Sequence, residues 1–356
     1  MRWTALAVFV LLAGAASGEN VYKQEPLWSY TFEGKVNSLR AQNDSVIVGG
    51  EDGIHSLGYS RTLRWSHDTE YAVTSILANG EITAASSDGY VRAFSQAGTM
   101  LWERTIPGYV NYVDAVDSGE GGIICGSMDG FVYMLDKEGV FKWKRLIGSY
   151  VVKTRILSDR IVAVSDRQVY ILDLDGTVRR VLNITGYILS SGVEEDRIAV
   201  GLDDGVLYVF NRSGDLLWNQ NIGSRVDQIH VGGEIIVASK DGRMALYSLG
   251  GERMWVRELG AAVVSLESDG EYILTGTSDN KVHLYDMKGN IRWFYETNGK
   301  PTRVSLNERN IISGTQTGRV YYSKLPKRDV KVSFMLAATI ILLVGTAIVV
   351  VSRSWR

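Results

Sequence analysis

Tryptophan recurs along this chain with a period. It falls at positions 28, 65, 102, 143, 218, 255 and 293, with gaps of 37, 37, 41, 75, 37 and 38 residues. The gap of 75 is two periods with one Trp missing. A Gly stands four residues before Trp102, Trp143 and Trp218, and counting four on from Gly176 puts Arg180 in the vacant slot. A period of this length marks a supersecondary unit that cannot bury its own faces and must stack on copies of itself.

A second signal keeps the same beat. "EDG" at 51, "SDG" at 87, "MDG" at 128, "DDG" at 203 and "KDG" at 240 are tight-turn sequences, with degenerate copies "SDR" at 165, "SDN" at 278 and "QTG" at 316. Asp-Gly pairs supply the positive φ that two-residue hairpins need. An apolar run such as "GGIICGS" precedes each turn and an alternating run such as "FVYMLD" follows it. Period-two alternation between turn signals reads as strand. Each unit therefore holds four strands, which predicts an all-β fold, a β-propeller. Three-strand groups begin near residues 36, 73, 110, 151, 188, 226, 263 and 302, and Trp-type strands sit at 28, 65, 102, 143, 180, 218, 255 and 293. Both series count eight. The first Trp strand has no group before it and the last group has no Trp strand after it. The Trp28 strand is thus expected to complete the final blade and close an eight-bladed ring, which removes two open sheet edges.

The Asp136, Gly139, Trp143 set and the Asp286, Gly289, Trp293 set resemble the repeat of the pyrroloquinoline-quinone-like (PQQ-like) propellers. This family includes quinoprotein dehydrogenases and a lipoprotein of outer-membrane protein assembly. The family's Thr is absent here, and the Asp-to-Gly gap is one residue shorter. The resemblance covers residues 27–325. It implies that Trp28, Trp65, Trp102, Trp143, Trp218, Trp255 and Trp293 act as docking contacts between neighbouring blades. It also implies, for the quinone-dependent members, adjacent cysteines and a calcium site of acidic and amide ligands. The lone Cys125 excludes that disulfide. No calcium set is evident, so no cofactor is expected; a shared repeat does not carry a shared cofactor.

Two segments lie outside the propeller. Residues 1–18, with Arg2, an apolar run from Ala5 to Ala16 and small residues from Ala15 to Gly18, have the layout of a secretory signal, cleaved near residues 15–18. A buried first strand and an uncleaved anchor are the other readings. Val332 to Val351 hold twenty residues without a charge. At ~1.5 Å per residue they reach about 30 Å, the hydrocarbon thickness of a bilayer, and predict one C-terminal transmembrane helix. The expected order is signal peptide 1–18, linker 19–26, propeller 27–325, basic juxtamembrane linker 326–331, membrane helix 332–351 and cytoplasmic tail 352–356. This puts the propeller outside the cytoplasm on a single-pass membrane protein. Lys324, Lys327, Arg328 and Lys331 before the helix oppose that orientation under the positive-inside rule. An N-terminal signal inserts first, and the long domain follows it. The net charge of −2 favours no nucleic-acid partner.

His55, His67, His230 and His283 are scattered without ligand spacing, and no nucleophile, metal or phosphate-loop motif is present. "DLDG" at 173–176 lacks the remaining positions of a calcium loop and reads as the turn before the Trp-type strand. Asn43, Asn183 and Asn211 open N-x-S/T triplets that an exported protein could carry glycosylated. Between Trp143 and Trp218, Arg167 replaces a turn Gly and Arg180 replaces the Trp. This is either drift in a redundant repeat or a blade specialised to present basic groups to a partner.

Connections into successive blades carry Tyr71, Tyr109, Tyr112, Tyr150 and Tyr187, with Lys153, Arg225, Lys300 and Arg303 at related positions. In a propeller these connections converge on one mouth of the central channel. Tyr at a strand start serves either inter-blade packing or a binding rim. The candidate rim is Tyr71, Tyr109, Tyr112, Tyr150, Lys153, Tyr187, Arg225 and Arg303. The expected function is a non-enzymatic, membrane-anchored scaffold for a protein or glycan partner. The alternative is an exported enzyme using the same mouth.

Overall fold

Eight antiparallel sheets arranged in chain order make up the protein. The computed structural model describes residues 22–106, 113–119, 122–148, 150–194 and 196–325. Blades 1 to 7 run over residues 36–68, 73–105, 113–146, 151–183, 188–221, 226–258 and 263–296, each a four-stranded meander. Blade 8 combines residues 301–324 with the strand Trp28–Thr31, which pairs Trp28 with Tyr322 and Thr31 with Arg319. The expected closure by the Trp28 strand is therefore observed. The innermost strands of successive blades pack side by side around a central channel, and the first, Val36–Ala41, meets the last, Pro301–Asn307.

The two middle strands of each blade supply the core. "SVIVGG" and "GIICGS" are buried along their whole length, as apolar runs without alternation predict for strands covered on both faces. The outer strands are largely exposed instead; in "LLWNQN" only Trp218 is not exposed.

Two features differ from expectation. The third blade starts at Val113, not near 110: Val113 faces Ser127 as Val36 faces Gly50, so the extra residues of the 41-residue gap lie mostly before the strand. Part of the predicted linker is structured. Tyr22–Lys23 adds a fifth, parallel strand to blade 7 against Trp293 and Phe294. The N-terminal segment thus ties blade 7 to blade 8. Among the described residues no helix is long and apolar enough to cross a membrane. The predicted signal, the basic linker 326–331, the helix 332–351 and the tail lie outside the described residues.

Candidate binding site at the channel mouth

The blade seams explain the Trp period. The indole N–H of Trp65 donates to the carbonyl of Gln96 in the next blade at 3.1 Å, Trp102 to Lys137 at 2.7 Å, Trp143 to Leu174 at 2.9 Å, Trp218 to Leu249 at 3.0 Å and Trp255 to Met287 at 2.9 Å. Trp28 does the same from blade 8 to Tyr59 of blade 1 at 2.8 Å. Each acceptor lies two residues before the turn position that stands four residues ahead of the next Trp-type residue. Gly fills that position because the backbone is left-handed there and the incoming indole leaves no room. A Cβ on Gly251, at φ +90°, would lie 2.8 Å from the Trp218 ring. In blade 1 Arg61 occupies the equivalent position at φ +68°.

Two seams depart from this rule. Trp293 is buried, and its indole N–H has no acceptor among the described residues. The next blade is closed by the N-terminal strand Trp28–Thr31 and not by a hairpin, so no hairpin turn presents a carbonyl there. At the seam of blades 4 and 5 Arg180 substitutes for Trp: Nη1 donates to the Ser213 carbonyl at 2.9 Å and pairs with Asp215 at 2.7 Å. Arg167 lies over the Tyr187 ring, 3.9 Å from its centroid, and Lys153 donates to the Ser191 carbonyl at 3.2 Å. These three basic groups of blade 4 are engaged with blade 5 or the connection into it.

The mouth itself is built by a repeated β-bulge. Each innermost strand shifts register just after its first residue, as between Val36 and Ser38, Val73 and Ser75, and Pro301 and Arg303. The bulged residue is left out of the ladder, and bulges re-aim side chains in this way. Asn37, Thr74, Val264 and Thr302 are the bulged residues of blades 1, 2, 7 and 8, and all four line one cavity of about 550 Å³. Lys35, Lys300, Arg303 and Glu51 supply its charges. Thr302 fixes the floor by donating to the Val36 carbonyl across the blade 8–blade 1 seam at 2.5 Å.

The predicted rim divides. Arg303 lines the cavity, as does Lys300. Arg225 is held by both Asp227 oxygens at 2.6 and 3.1 Å. Tyr71, Tyr150 and Tyr187 are exposed and sit ahead of their strands, away from the cavity lining. Tyr109 and Tyr112 lie outside the described residues. Lys35, Asn37, Thr74 and Glu51 were not singled out from sequence. Their signal was positional: they flank or occupy the bulge, or open an Asp-Gly turn.

Deeper in the channel, Arg40, Arg155, His230 and Glu267 stand four residues after the first residue of their strands. Burial pushes the Glu267 carboxyl up to about 7, against the pull of Arg40 and of hydrogen bonds with Leu306 and Ser305. Burial, with Lys153 nearby, holds the His230 imidazole down at about 4. His283, packed near Tyr285 and Phe294, is likewise held down at about 4 by burial. His55 bridges Ser66 and Asp52 at 3.0 Å each. Cys125 is fully buried, which pushes its thiol up to about 12 and leaves it unreactive. Among the described residues no group of three or more His, Cys, Asp or Glu could hold a metal ion. Of the glycosylation triplets, Asn43 is exposed in a turn, and Asn183 accepts from Gln168 at 2.8 Å. The Asn211 amide nitrogen is engaged with Asp215 at 3.0 Å.

Residues 183–338 match a family model described as outer membrane protein assembly factor BamB. That match and the eight four-stranded blades support a PQQ-like β-propeller repeat. No curated protein sequence matches it. Three solved structures share the propeller fold. The crystal structure of BamB from Moraxella catarrhalis is 15% identical with a TM-score of 0.71, covering 85% of this chain and 99% of that one. Sqt1 of Chaetomium thermophilum, bound to the N-terminus of the ribosomal protein L10, is 12% identical with a TM-score of 0.72, covering 84% and 99%. The computationally designed Ika8 protein is 17% identical with a TM-score of 0.74, covering 83% and 98%. At these identities the likeness is one of fold, and the PQQ-like repeat does not by itself assign an activity.

Proposed function

We propose that this propeller is a non-enzymatic, membrane-anchored scaffold that binds a protein partner at its channel mouth, outside the cytoplasm. The observation that carries the reading is the cavity shared by blades 7, 8, 1 and 2, lined by their bulged residues. A concave site with a few convergent polar groups is where a ligand docks. The neighbours lend support: one is an assembly factor by name, and another is bound to a segment of a ribosomal protein. The anchor rests on the uncharged stretch from Val332 to Val351, and the orientation rests on the N-terminal signal.

Site-specific photo-crosslinking in intact cells tests the docking site. A photoreactive residue at Asn37 or Thr74 should give a discrete adduct, and one at Leu217 on the outer edge of blade 5 should not. Adducts only at the outer edge would overturn the mouth as the docking face. Protease added to spheroplasts should digest the propeller; full protection would reverse the orientation.

A further inference from the structure

The identity of the groups in the mouth cavity says which partner chemistry it fits. The cavity is lined by three cations, Lys35, Lys300 and Arg303, and one carboxylate, Glu51. The ammonium groups of Lys35 and Lys300 make no hydrogen bond or ion pair among the described residues. At other positions Lys153 is bonded to Ser191, Arg225 to Asp227 and Arg180 to Asp215, and Arg167 covers Tyr187. The two lysines immediately precede Val36 and Pro301, the first residues of innermost strands that lie side by side where the ring closes. They therefore stand at matched positions on adjacent blades.

The remaining polar lining consists of hydroxyls and amides, from Thr74, Ser87, Thr302, Asn37 and Gln316, beside the apolar Ala72, Val264 and Pro301. Among the described residues no aromatic side chain lines the cavity. A sugar-binding site ordinarily stacks pyranose rings on aromatic faces, and the exposed Tyr71, Tyr150 and Tyr187 are not among the lining residues. Hydroxyls and amides instead suit peptide N–H and C=O groups. Lys, a point charge on a flexible stem, accepts carboxylates approaching from varied directions. The volume of about 550 Å³ falls within the range of ligand pockets, ~300–1,000 Å³.

We infer that the mouth cavity is a receptor for an acidic, extended peptide segment, whose carboxylates pair with Lys35 and Lys300 while its backbone bonds the surrounding hydroxyls and amides. This rests on the mouth being the docking face. It adds that the partner reaches it with a run of Asp or Glu.

The test uses the full-length protein in detergent micelles and the anisotropy of labelled peptides. A labelled hexaglutamate should bind, hexalysine should not, and affinity should weaken as salt rises. Reversing both charges, Lys35→Glu with Lys300→Glu, should weaken hexaglutamate binding about tenfold or more, since each exposed pair is worth up to about 1 kcal/mol. The same reversal at Lys137 and Lys288, exposed in turns on the outer side of blades 3 and 7, should leave it unchanged. Equal loss in both double variants would reduce the effect to overall charge and overturn the site. Tighter binding of an oligogalacturonate than of hexaglutamate would overturn the peptide in favour of an acidic glycan. Failure here with mouth crosslinks intact sinks only the acidic peptide; absence of mouth crosslinks sinks the docking face itself.

Discussion

Arg180 reaches from blade 4 to the Ser213 carbonyl of blade 5, at the seam position from which Trp bonds the next blade at six other seams. The substitution keeps a donor aimed at the next blade's turn and exchanges ring burial for charge. Gly214 still accommodates the incomer, with Arg180, Ile171 and Leu182 side chains against its Cβ position. Blade 4 is thus bonded through its basic groups, and the reading of a blade that displays them to a partner loses its free cations.

Arg180→Ala should lower stability by about 1 kcal/mol, the net worth of a hydrogen bond to a backbone carbonyl. Asp215→Asn should leave it nearly unchanged, because that pair is exposed. Urea unfolding of the two variants checks the order; a larger effect from Asp215 would make the ion pair the principal link.

The two kinds of Trp separate in a matched pair of substitutions. Trp218→Phe and Trp293→Phe both remove part of an indole. The first also removes a bond to Leu249, and the second relieves a buried donor that has no acceptor. Trp218→Phe should be the more destabilising by about 1–2 kcal/mol. Thermal unfolding reads the difference, and equal losses would mean that Trp293 has an acceptor after all.

Glycine at the seam should be far less replaceable than glycine in a free turn. Gly251 and Gly270 have nearly the same φ, +90° and +84°, but a Cβ meets Trp218 at the first and nothing within 4 Å at the second. Gly270→Ala should cost about 1 kcal/mol for the left-handed backbone alone. Gly251→Ala should cost about 2–4 kcal/mol, because the indole must move as well. Similar losses at the two sites would show that the indole yields freely.

Tyr150 and Tyr187 are both exposed, at 40% and 45%. Tyr150→Ala should therefore lower stability by less than about 1 kcal/mol. Tyr187→Ala should lose a similar amount through its stacking with Arg167. A drop of several degrees in melting temperature at Tyr150 would instead assign it to inter-blade packing.

The architecture was legible because its signals are local and repeated. The Trp to Trp spacing, the Asp-Gly turns and the unpaired first and last units each state a rule that the ring must obey. Closure of blade 8 followed from counting. The mouth was harder to read. Sequence shows that Lys35 and Arg225 precede equivalent strands, but not that Asp227 pairs with Arg225 while Lys35 has no ion pair among the described residues. The bulge that turns Asn37 and Thr302 toward the cavity leaves no mark in composition. Tyr, conspicuous as a residue type, drew attention to blades 2 to 5, whereas the cavity lies across blades 7, 8, 1 and 2. The strand at Tyr22–Lys23 was invisible because two residues carry no period.

The channel interior carries a pH dependence of known sign. The Glu267 carboxyl is raised from 4.5 to about 7, chiefly by burial, with Arg40 and Asp269 the charges that face it. A group whose folded value lies above its unfolded one contributes stability that is fully present below about 4.5 and is lost as pH rises through about 7. His230 and His283, lowered to about 4, act oppositely: their contribution is complete above about 6.5 and is lost as pH falls toward 4. The total profile therefore mixes two trends, and the difference between wild type and Glu267→Gln isolates one, because the histidines cancel. At pH 5 the two proteins should be similarly stable. By pH 8 Glu267→Gln should be the more stable by about 2–3 kcal/mol, the worth of a shift of this size at ~1.4 kcal/mol per unit with some allowance for solvent in the channel. Chemical unfolding from pH 4.5 to 8 measures the difference. A flat difference curve would show that the carboxyl titrates as an ordinary one, and a curve of opposite slope would show that Arg40 holds it charged.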